Sequence, residues 1–292
     1  MQTVAQALQW AVTELSRAGS VENAQVDAQW LLAHLLEKNQ AWLRAFPEAV
    51  VGDADLQRYA DWIGRRGAGE PVAYICGRQG FWTFELEVTA DTLVPRPDTE
   101  LLVEVALELC DAAARDVVDL GTGTGAIALA LKSERPLWRV LATDIDVASL
   151  DLAQRNAQRL GLQVDTRASS WLQNLSGEKF HLIVSNPPYI RADDPHLFGS
   201  GVRCEPLRAL VSGVDGLDAI REIVTAAPIH LHAGGWLLLE HGYDQGADVR
   251  ALLQSAGFDC VQTRRDLGGN ERVTLGQFRR KQAGQENAEH DD

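Results

Sequence analysis

The chain has 292 residues, 46% of them hydrophobic, and a formal net charge of −14; this length suits one large domain, or a medium domain with a small one. The acidic balance weighs against a protein that grips nucleic-acid phosphates, which normally presents a net basic face. Cys76, Cys110, Cys204 and Cys260 form no CxxC pair, His230 and His232 have no third ligand at a recognisable spacing, and no stretch reaches the roughly 18 apolar residues that span a bilayer. The expectation is a soluble, cytoplasmic protein with reduced thiols, no metal and no membrane partner.

Residues 1–75 read as helices. MQTVAQALQWAVTELSRAG puts Val4, Leu8, Ala11, Val12 and Leu15 on one face. VENAQVDAQWLLAHLLEKN keeps the 3.6 period through Val26, Trp30, Leu31, Ala33, Leu35 and Leu36. DADLQRYADWIGRRGAGE carries Leu56, Tyr59, Ala60 and Ile63, with Pro47 and Gly52 punctuating the gap before it. The result is a small helical domain without a chemical motif, a packing or docking module.

Residues 76–97 form a hairpin-like linker in which FWTFELEV alternates as a strand does. After Pro97, DTELLVEVALELC reads as a helix with Asp98 or Thr99 as N-cap. From residue 116 to 280 the pattern alternates: strand DVVDL, helix GAIALALKSER, strand RVLATDI, helix VASLDLAQRNAQRLG, strand FHLIVSN, helix GLDAIREIVTAAPIHL, strand GGWLLLEHG, helix ADVRALLQSAGF. DCVQTRRDLGGNERVTLGQF then gives two strands around Gly268-Gly269-Asn270. Apolar strands alternating with helices predict an α/β domain with a mainly parallel sheet, and the closing hairpin makes it mixed. The polar tail at 281–292 reads as disordered.

At the first strand-to-helix turn stand Asp119, Gly121, Thr122, Gly123, Thr124 and Gly125, the pattern D-x-G-x-G-x-G. Glycines there let the backbone turn tightly and a ligand lie against it. Asp144 ends the next strand, where a carboxylate accepts from both hydroxyls of a ribose, while Asp146 suits the N-cap of the following helix. These residues define a nucleoside-cofactor site at the carboxyl ends of the strands. A tight turn with no ligand is the plainer reading of the glycines alone.

The strand FHLIVS runs into Asn186-Pro187-Pro188-Tyr189. The glycine turn, Asp144 and NPPY after the fourth strand together resemble the Rossmann-like class I S-adenosylmethionine-dependent methyltransferases, in the branch that methylates planar nitrogens. GFWTFELEVTADTLVPRPDTELLVE, DLGTGTGAIALAL, IVSNPPYI, RCEPLRALV, LLLEHG and RDLGGNERVTLG extend the likeness over nearly the whole chain. They resemble the protein-(glutamine-N5) methyltransferases of peptide chain release factors, which carry a small helical N-terminal domain. The resemblance implies S-adenosylmethionine as cofactor, S-adenosylhomocysteine as product, and the glutamine of the release factors' GGQ motif as substrate. It also implies Trp171 at the adenine, with Ser170 where the family usually has an acidic residue, and Phe81 and Arg96 near the pocket. For these three a core tryptophan, a hairpin core residue and a salt-bridge partner are the alternatives. Glu240 is given only a supporting role.

NPPY has a physical logic of its own. An amide nitrogen is a poor nucleophile, so alignment with an activated methyl is the main task. Asn186 accepts one N–H through its side-chain oxygen and the Pro187 carbonyl accepts the other, while neither Pro187 nor Pro188 supplies a competing donor. Tyr189 stacks on the planar group or walls the pocket. The corner alone permits adenine as well as glutamine. An adenine-N6 nucleic acid methyltransferase would also need a target-recognition region and a basic groove, and direct nucleic acid binding is not expected here. A silent binding protein that retains the fold is the third reading, opposed by the intact turn and corner.

Overall fold

The computed structural model describes residues 1–199 and 201–279, so the expected tail at 281–292 lies outside the described residues. The chain divides into two compact units. The first comprises Met1–Gly80, Glu85–Val94 and Asp193–Leu207; the second comprises Phe81–Phe84, Pro95–Ala192 and the described residues from Arg208 onward.

In the first unit, β1 (Gln2–Thr3) pairs antiparallel with β2 (Val50–Val51). The helices are α1 (Val4–Ala18), α2 (Ala24–Leu35), α3 (Gln40–Ala45), α4 (Asp53–Gly67) and α5 (Val72–Cys76). A capping box between Thr3 and Gln6 starts α1, and Gly19 ends it at φ 66°, a left-handed conformation natural to glycine. Asn23 and Asn39 cap α2 and α3 by accepting from Val26 and Trp42. The core gathers Val4, Ala11, Leu15, Leu31, Leu32, Tyr59 and Ile63, and the Tyr59 hydroxyl donates to Ala28 O at 2.8 Å. Two of the expected helix faces differ: Val26 and Trp30 of α2 are exposed, as is Ala60 of α4. Ala28 and Leu32 take the inward places on α2 instead. Five helices stand where three were expected, α3 filling the gap marked by Pro47 and Gly52.

FWTFELEV does not run as one strand. β3 (Arg78–Phe81) and β4 (Phe84–Glu87) form a hairpin that turns at Trp82, whose φ is 57°. The Trp82 backbone N–H donates to Glu100 Oε1 at 2.7 Å and its indole N–H to Glu134 Oε1 at 2.8 Å.

The second unit continues with α6 (Glu100–Leu109), β5 (Asp116–Leu120), α7 (Ala126–Glu134), β6 (Arg139–Asp144), α8 (Val147–Leu160), β7 (Asp165–Ala168) and β8 (Phe180–Ser185). It closes with α9 (Asp218–His230), β9 (Leu231–Glu240), α10 (Gly246–Ser255), β10 (Phe258–Arg265) and β11 (Glu271–Phe278). The seven-stranded sheet runs β10-β11-β9-β8-β5-β6-β7, parallel from β9 to β7 and antiparallel through β11 and β10. This is the mixed, mainly parallel α/β sheet expected, preceded by the helical unit. Its central strands are buried on both faces: Val117, Val118, Leu182, Ile183, Leu237 and Leu239 are all 0% exposed. β7 is an additional strand. Counting it, the corner at Asn186 does follow the fourth strand from residue 116.

Candidate active site

Four neighbouring strands end together. Leu239, Ser185, Leu120 and Thr143 are paired in register across β9, β8, β5 and β6. The next residue on each strand is therefore Glu240, Asn186, Gly121 and Asp144. Parallel strands lie about 4.8 Å apart, so these four positions form a row along the carboxyl edge of the sheet. β8 and β6 lie on opposite sides of β5, which makes this edge the topological switch point where open α/β sheets bind ligands. Ser185 ties two of the exits together, its hydroxyl donating to Leu120 O at 2.7 Å.

The glycine turn is held from several directions. Gly121, Gly123 and Gly125 have φ of 71°, 52° and 84°, a region costly for residues with a Cβ. The Thr122 hydroxyl donates to Asp119 Oδ2 at 2.6 Å, and the Thr122 N–H reaches Thr143 O at 2.8 Å. Buried Asn156 on α8 donates to Thr124 O at 3.0 Å. Asp144 accepts from Gly123 N through Oδ2 and from Asp146 N through Oδ1, both at 3.0 Å. Burial raises the Asp144 carboxyl, opposed by those two N–H bonds. Each carboxylate oxygen carries more than one lone pair, so acceptor capacity remains for hydroxyls beyond the turn. Asp119 is wholly buried, pushed up to about 7 chiefly by that burial, and its Oδ1 has no partner among the described residues. Asp146 is the N-cap of α8, as its position implied, and accepts from Ser149 N at 3.2 Å.

Trp171 stands beside this turn. Its ring lies 3.2 Å from where a Cβ on Gly121 would be, so the absence of that Cβ makes the fit. The tryptophan itself sits at φ 48°. Ser169 props the bend, donating from its hydroxyl to Trp171 O at 2.8 Å and accepting from Asn174 N at 3.2 Å. Trp171 also packs on the main hydrophobic core, so the two readings of it are compatible. Acidic Asp144, three glycines with left-handed φ and the Trp171 ring against the first of them fit a nucleoside.

At the corner, Asn186 Nδ2 donates to Thr99 Oγ1 at 3.1 Å. Thr99 occupies the N-cap position of α6 but makes no capping bond. Its hydroxyl is close enough to the Glu240 carboxyl to hold that carboxyl down. The Tyr189 phenol also donates to Glu240, to Oε1 at 3.5 Å. Glu240 is 1% exposed, and its Oε2 has no hydrogen-bond partner among the described residues. Burial pushes its carboxyl up to about 7, against the pull of Thr99, Arg272 and Tyr189. The Tyr189 phenol is driven up by burial and by the charge of Glu240. Past the corner, Gln245 donates to Tyr189 O at 3.0 Å and to Asp215 O at 3.2 Å, and its own Oε1 accepts from Gly242 N. A Cβ on Gly216 would collide with Tyr189 O and come within 2.6 Å of Gln245 Nε2.

The remaining expected residues are placed less directly. Arg96 is exposed and close enough to Tyr189 to act on its phenol. Phe81 is 2% exposed at the end of β3. Thr99, Ser169, Ser185 and Gln245 received no site role from sequence; Thr99, Ser185 and Gln245 are drawn in by hydrogen bonds to residues far along the chain. At the opposite edge of the sheet, Asp116, His181 and His232 bring one ligand atom each to within 4.8 Å of one another. The histidine pair noted in sequence is thus split. Arg139 already pairs with Asp116 Oδ1 at 2.5 Å, and His181 Nδ1 accepts Asp116 N–H at 3.0 Å, so two of the three donors are engaged.

Comparison with known proteins now decides the family. Residues 6–77 match the PrmC N-terminal domain, and residues 97–197 match the methyltransferase small domain. The release factor glutamine methyltransferase of Pseudomonas aeruginosa is 58% identical over 88% of this chain and 93% of its own. The chain belongs to the release factor glutamine methyltransferase family. Its relative of the same name in Vibrio cholerae is 46% identical over 95% of this chain and 97% of its own. Among solved structures, a methyltransferase from Pyrococcus furiosus shares the fold with a TM-score of 0.53 at 18% identity, over 75% of this chain and 98% of that one.

Proposed function

We propose that this methyltransferase transfers the methyl group of S-adenosylmethionine to the side-chain amide nitrogen, N5, of the glutamine in the GGQ motif of bacterial peptide chain release factors. The observation that carries the reading is the register of Ser185 with Leu120, which sets Asn186 beside Gly121 at adjacent strand ends. The acceptor nitrogen and the methyl donor then meet across one strand spacing. When bound, S-adenosylmethionine supplies a methyl already activated on sulfur.

The chain's own residues do the rest. The glycine turn lets backbone approach the cofactor, Asp144 accepts from the ribose hydroxyls, and Trp171 walls the adenine. Ser170 offers a hydroxyl where a carboxylate is usual. Asn186 Oδ1 and Pro187 O each accept one amide N–H, which fixes the nitrogen and favours the positive charge that develops on it. Tyr189 packs on the amide plane. Phe81 and Arg96 border the same crevice in this reading, and Asp119 backs the glycine turn. Release factors are the partners, and the activity belongs in the cytoplasm where they work. In this reading residues 1–75 serve docking, 76–97 form a link, and 98–280 carry catalysis.

The test is transfer of labelled methyl from S-adenosylmethionine to a release factor, beside a GGA variant of it, DNA and RNA. Label on the GGQ protein alone is expected. Label confined to nucleic acid would overturn the glutamine reading in favour of an adenine-N6 one.

A further inference from the structure

We propose that Glu240 is a positioning residue for methyl transfer, acting through the Thr99 hydroxyl to hold the Asn186 amide with Oδ1 turned toward the acceptor nitrogen; this rests on the corner's role in the reading above. An asparagine amide is nearly symmetric in shape but not in chemistry: a half-turn about its last bond exchanges the acceptor for a donor. With the donor outward, Asn186 would repel the substrate's N–H. Something must make the two orientations unequal.

The Thr99 hydroxyl is not sufficient by itself, because a hydroxyl both donates and accepts and rotates to suit its neighbour. Glu240 removes that freedom. An ionised carboxylate only accepts, so it takes the Thr99 proton and leaves only lone pairs facing Asn186. The chain of donation then runs one way, from Asn186 Nδ2 to Thr99 Oγ1 at 3.1 Å and on to Glu240. Thr99 is 4% exposed and Glu240 1%, so water does not compete for these bonds. The same carboxylate takes the Tyr189 hydroxyl at 3.5 Å, so one group braces both the first and the last residues of the corner. No proton leaves the relay; it sets direction only.

The relay is sensitive to pH in a definite sense. Facing Glu240 are Thr99 and Asp98 ahead of α6, Tyr189 from the corner, and Arg272 from β11, with His241 next in chain. Arg272 favours the ionised form and Asp98 opposes it, while burial holds the carboxyl near 7. Once protonated, Glu240 donates as well as accepts, and the direction of the relay is no longer fixed.

The experiment uses the full chain with labelled S-adenosylmethionine and a release factor. Glu240→Gln is expected to lower kcat about 10- to 100-fold, below the effect of removing an acceptor outright, while the Kd for S-adenosylmethionine stays within about twofold. Thr99→Val should cost the same, Thr99→Ser should recover most of the loss, and the double variant Thr99→Val with Glu240→Gln should be no worse than either alone. The wild-type kcat should fall on the acid side of about pH 7, and Glu240→Gln should lose that limb. Wild-type kcat in Glu240→Gln, or losses that multiply in the double variant, overturns the inference while leaving the glutamine reading intact. A collapse of cofactor affinity in both Glu240→Gln and Thr99→Val assigns them to folding and overturns it as well. If the wild type leaves the release factor unlabelled, the glutamine reading fails and takes this inference with it.

Discussion

Asn186 and Thr99 lie 87 residues apart in the chain and are joined by a 3.1 Å hydrogen bond between their side chains. The bond uses the threonine oxygen that would otherwise cap α6, so a helix start has been spent on orienting an amide. That leaves the amide's other atom, Oδ1, for the acceptor nitrogen in the proposed reaction. Asn186→Ala removes it and should reduce methyl transfer by a factor on the order of 10²–10³, as loss of one preorganised group at a reacting centre does. Cofactor affinity, measured by calorimetry, should change little. A large loss of cofactor affinity with kcat preserved would contradict the assignment.

Asp144 serves the turn and the proposed ribose together. Its two oxygens already accept from Gly123 and Asp146. Asp144→Asn keeps one acceptor and turns the other into a donor, so a backbone N–H is left facing an NH₂. The expected result is a 10- to 100-fold weaker Kd for S-adenosylmethionine, about 1.5–3 kcal/mol for bonds to a charged group. Titration calorimetry decides it, and an unchanged Kd would remove Asp144 from the cofactor site.

Two glycines with similar φ should answer differently to alanine. Gly125 has φ 84°, and a Cβ there would stand 3.1 Å from Ala153 Cβ and 3.2 Å from Leu129 Cδ1. Gly161, at φ 67°, has nothing within 4 Å. Gly161→Ala should cost about 1–2 kcal/mol for the left-handed backbone alone. Gly125→Ala adds overpacking of about 1–3 kcal/mol between α7 and α8. Thermal melting should therefore drop further for Gly125→Ala, and equal shifts would mean the helices separate freely.

Stability should fall as pH rises through neutrality. Asp119 and Glu240 are both pushed up to about 7, largely by burial, from ordinary values of 3.8 and 4.5. Between those limits the folded chain holds more protons than the unfolded one, so their contribution is complete below the unfolded values and lost as pH passes the folded ones. Asp215, held down to about 2 by its bond from Arg221, acts oppositely, at pH below its ordinary range. Melting temperature should be highest near pH 5–6 and decline by about pH 8, with a shallower decline in Glu240→Gln. A melting temperature that climbs from pH 6 to 8 would count against both buried assignments. Activity, which needs Glu240 ionised, should move the other way across the same range.

Much of the site was legible in sequence because its devices are local. The glycines, Asp144 and NPPY each declare themselves within a few residues, and Asp146 was readable as a cap. What escaped depends on pairing. Thr99 looked like an ordinary N-cap, and only its bond from Asn186, 87 residues on, shows that its hydroxyl is engaged elsewhere. β7 escaped because Asp165, Thr166, Arg167 and Ala168 lie on an edge, with none of them buried, so no apolar run marks it. On α2 both Trp30 and Leu32 are large and apolar, and the period alone does not choose between them. The turn at Trp82 escaped because tryptophan at positive φ is unusual, and alternation continued on either side of it.

The collision that a side chain on Gly216 would meet at Tyr189 O has a practical meaning. The two prolines cannot be held through backbone N–H groups, so the far end of the corner is pinned through a carbonyl, by Gln245 against the bare face of Gly216. An engineer who wants to re-aim this active site at a different amine need not touch Asn186-Pro187-Pro188-Tyr189. Changing the length of residue 245, or adding bulk at 216, would tilt the acceptor surface while leaving its chemistry in place.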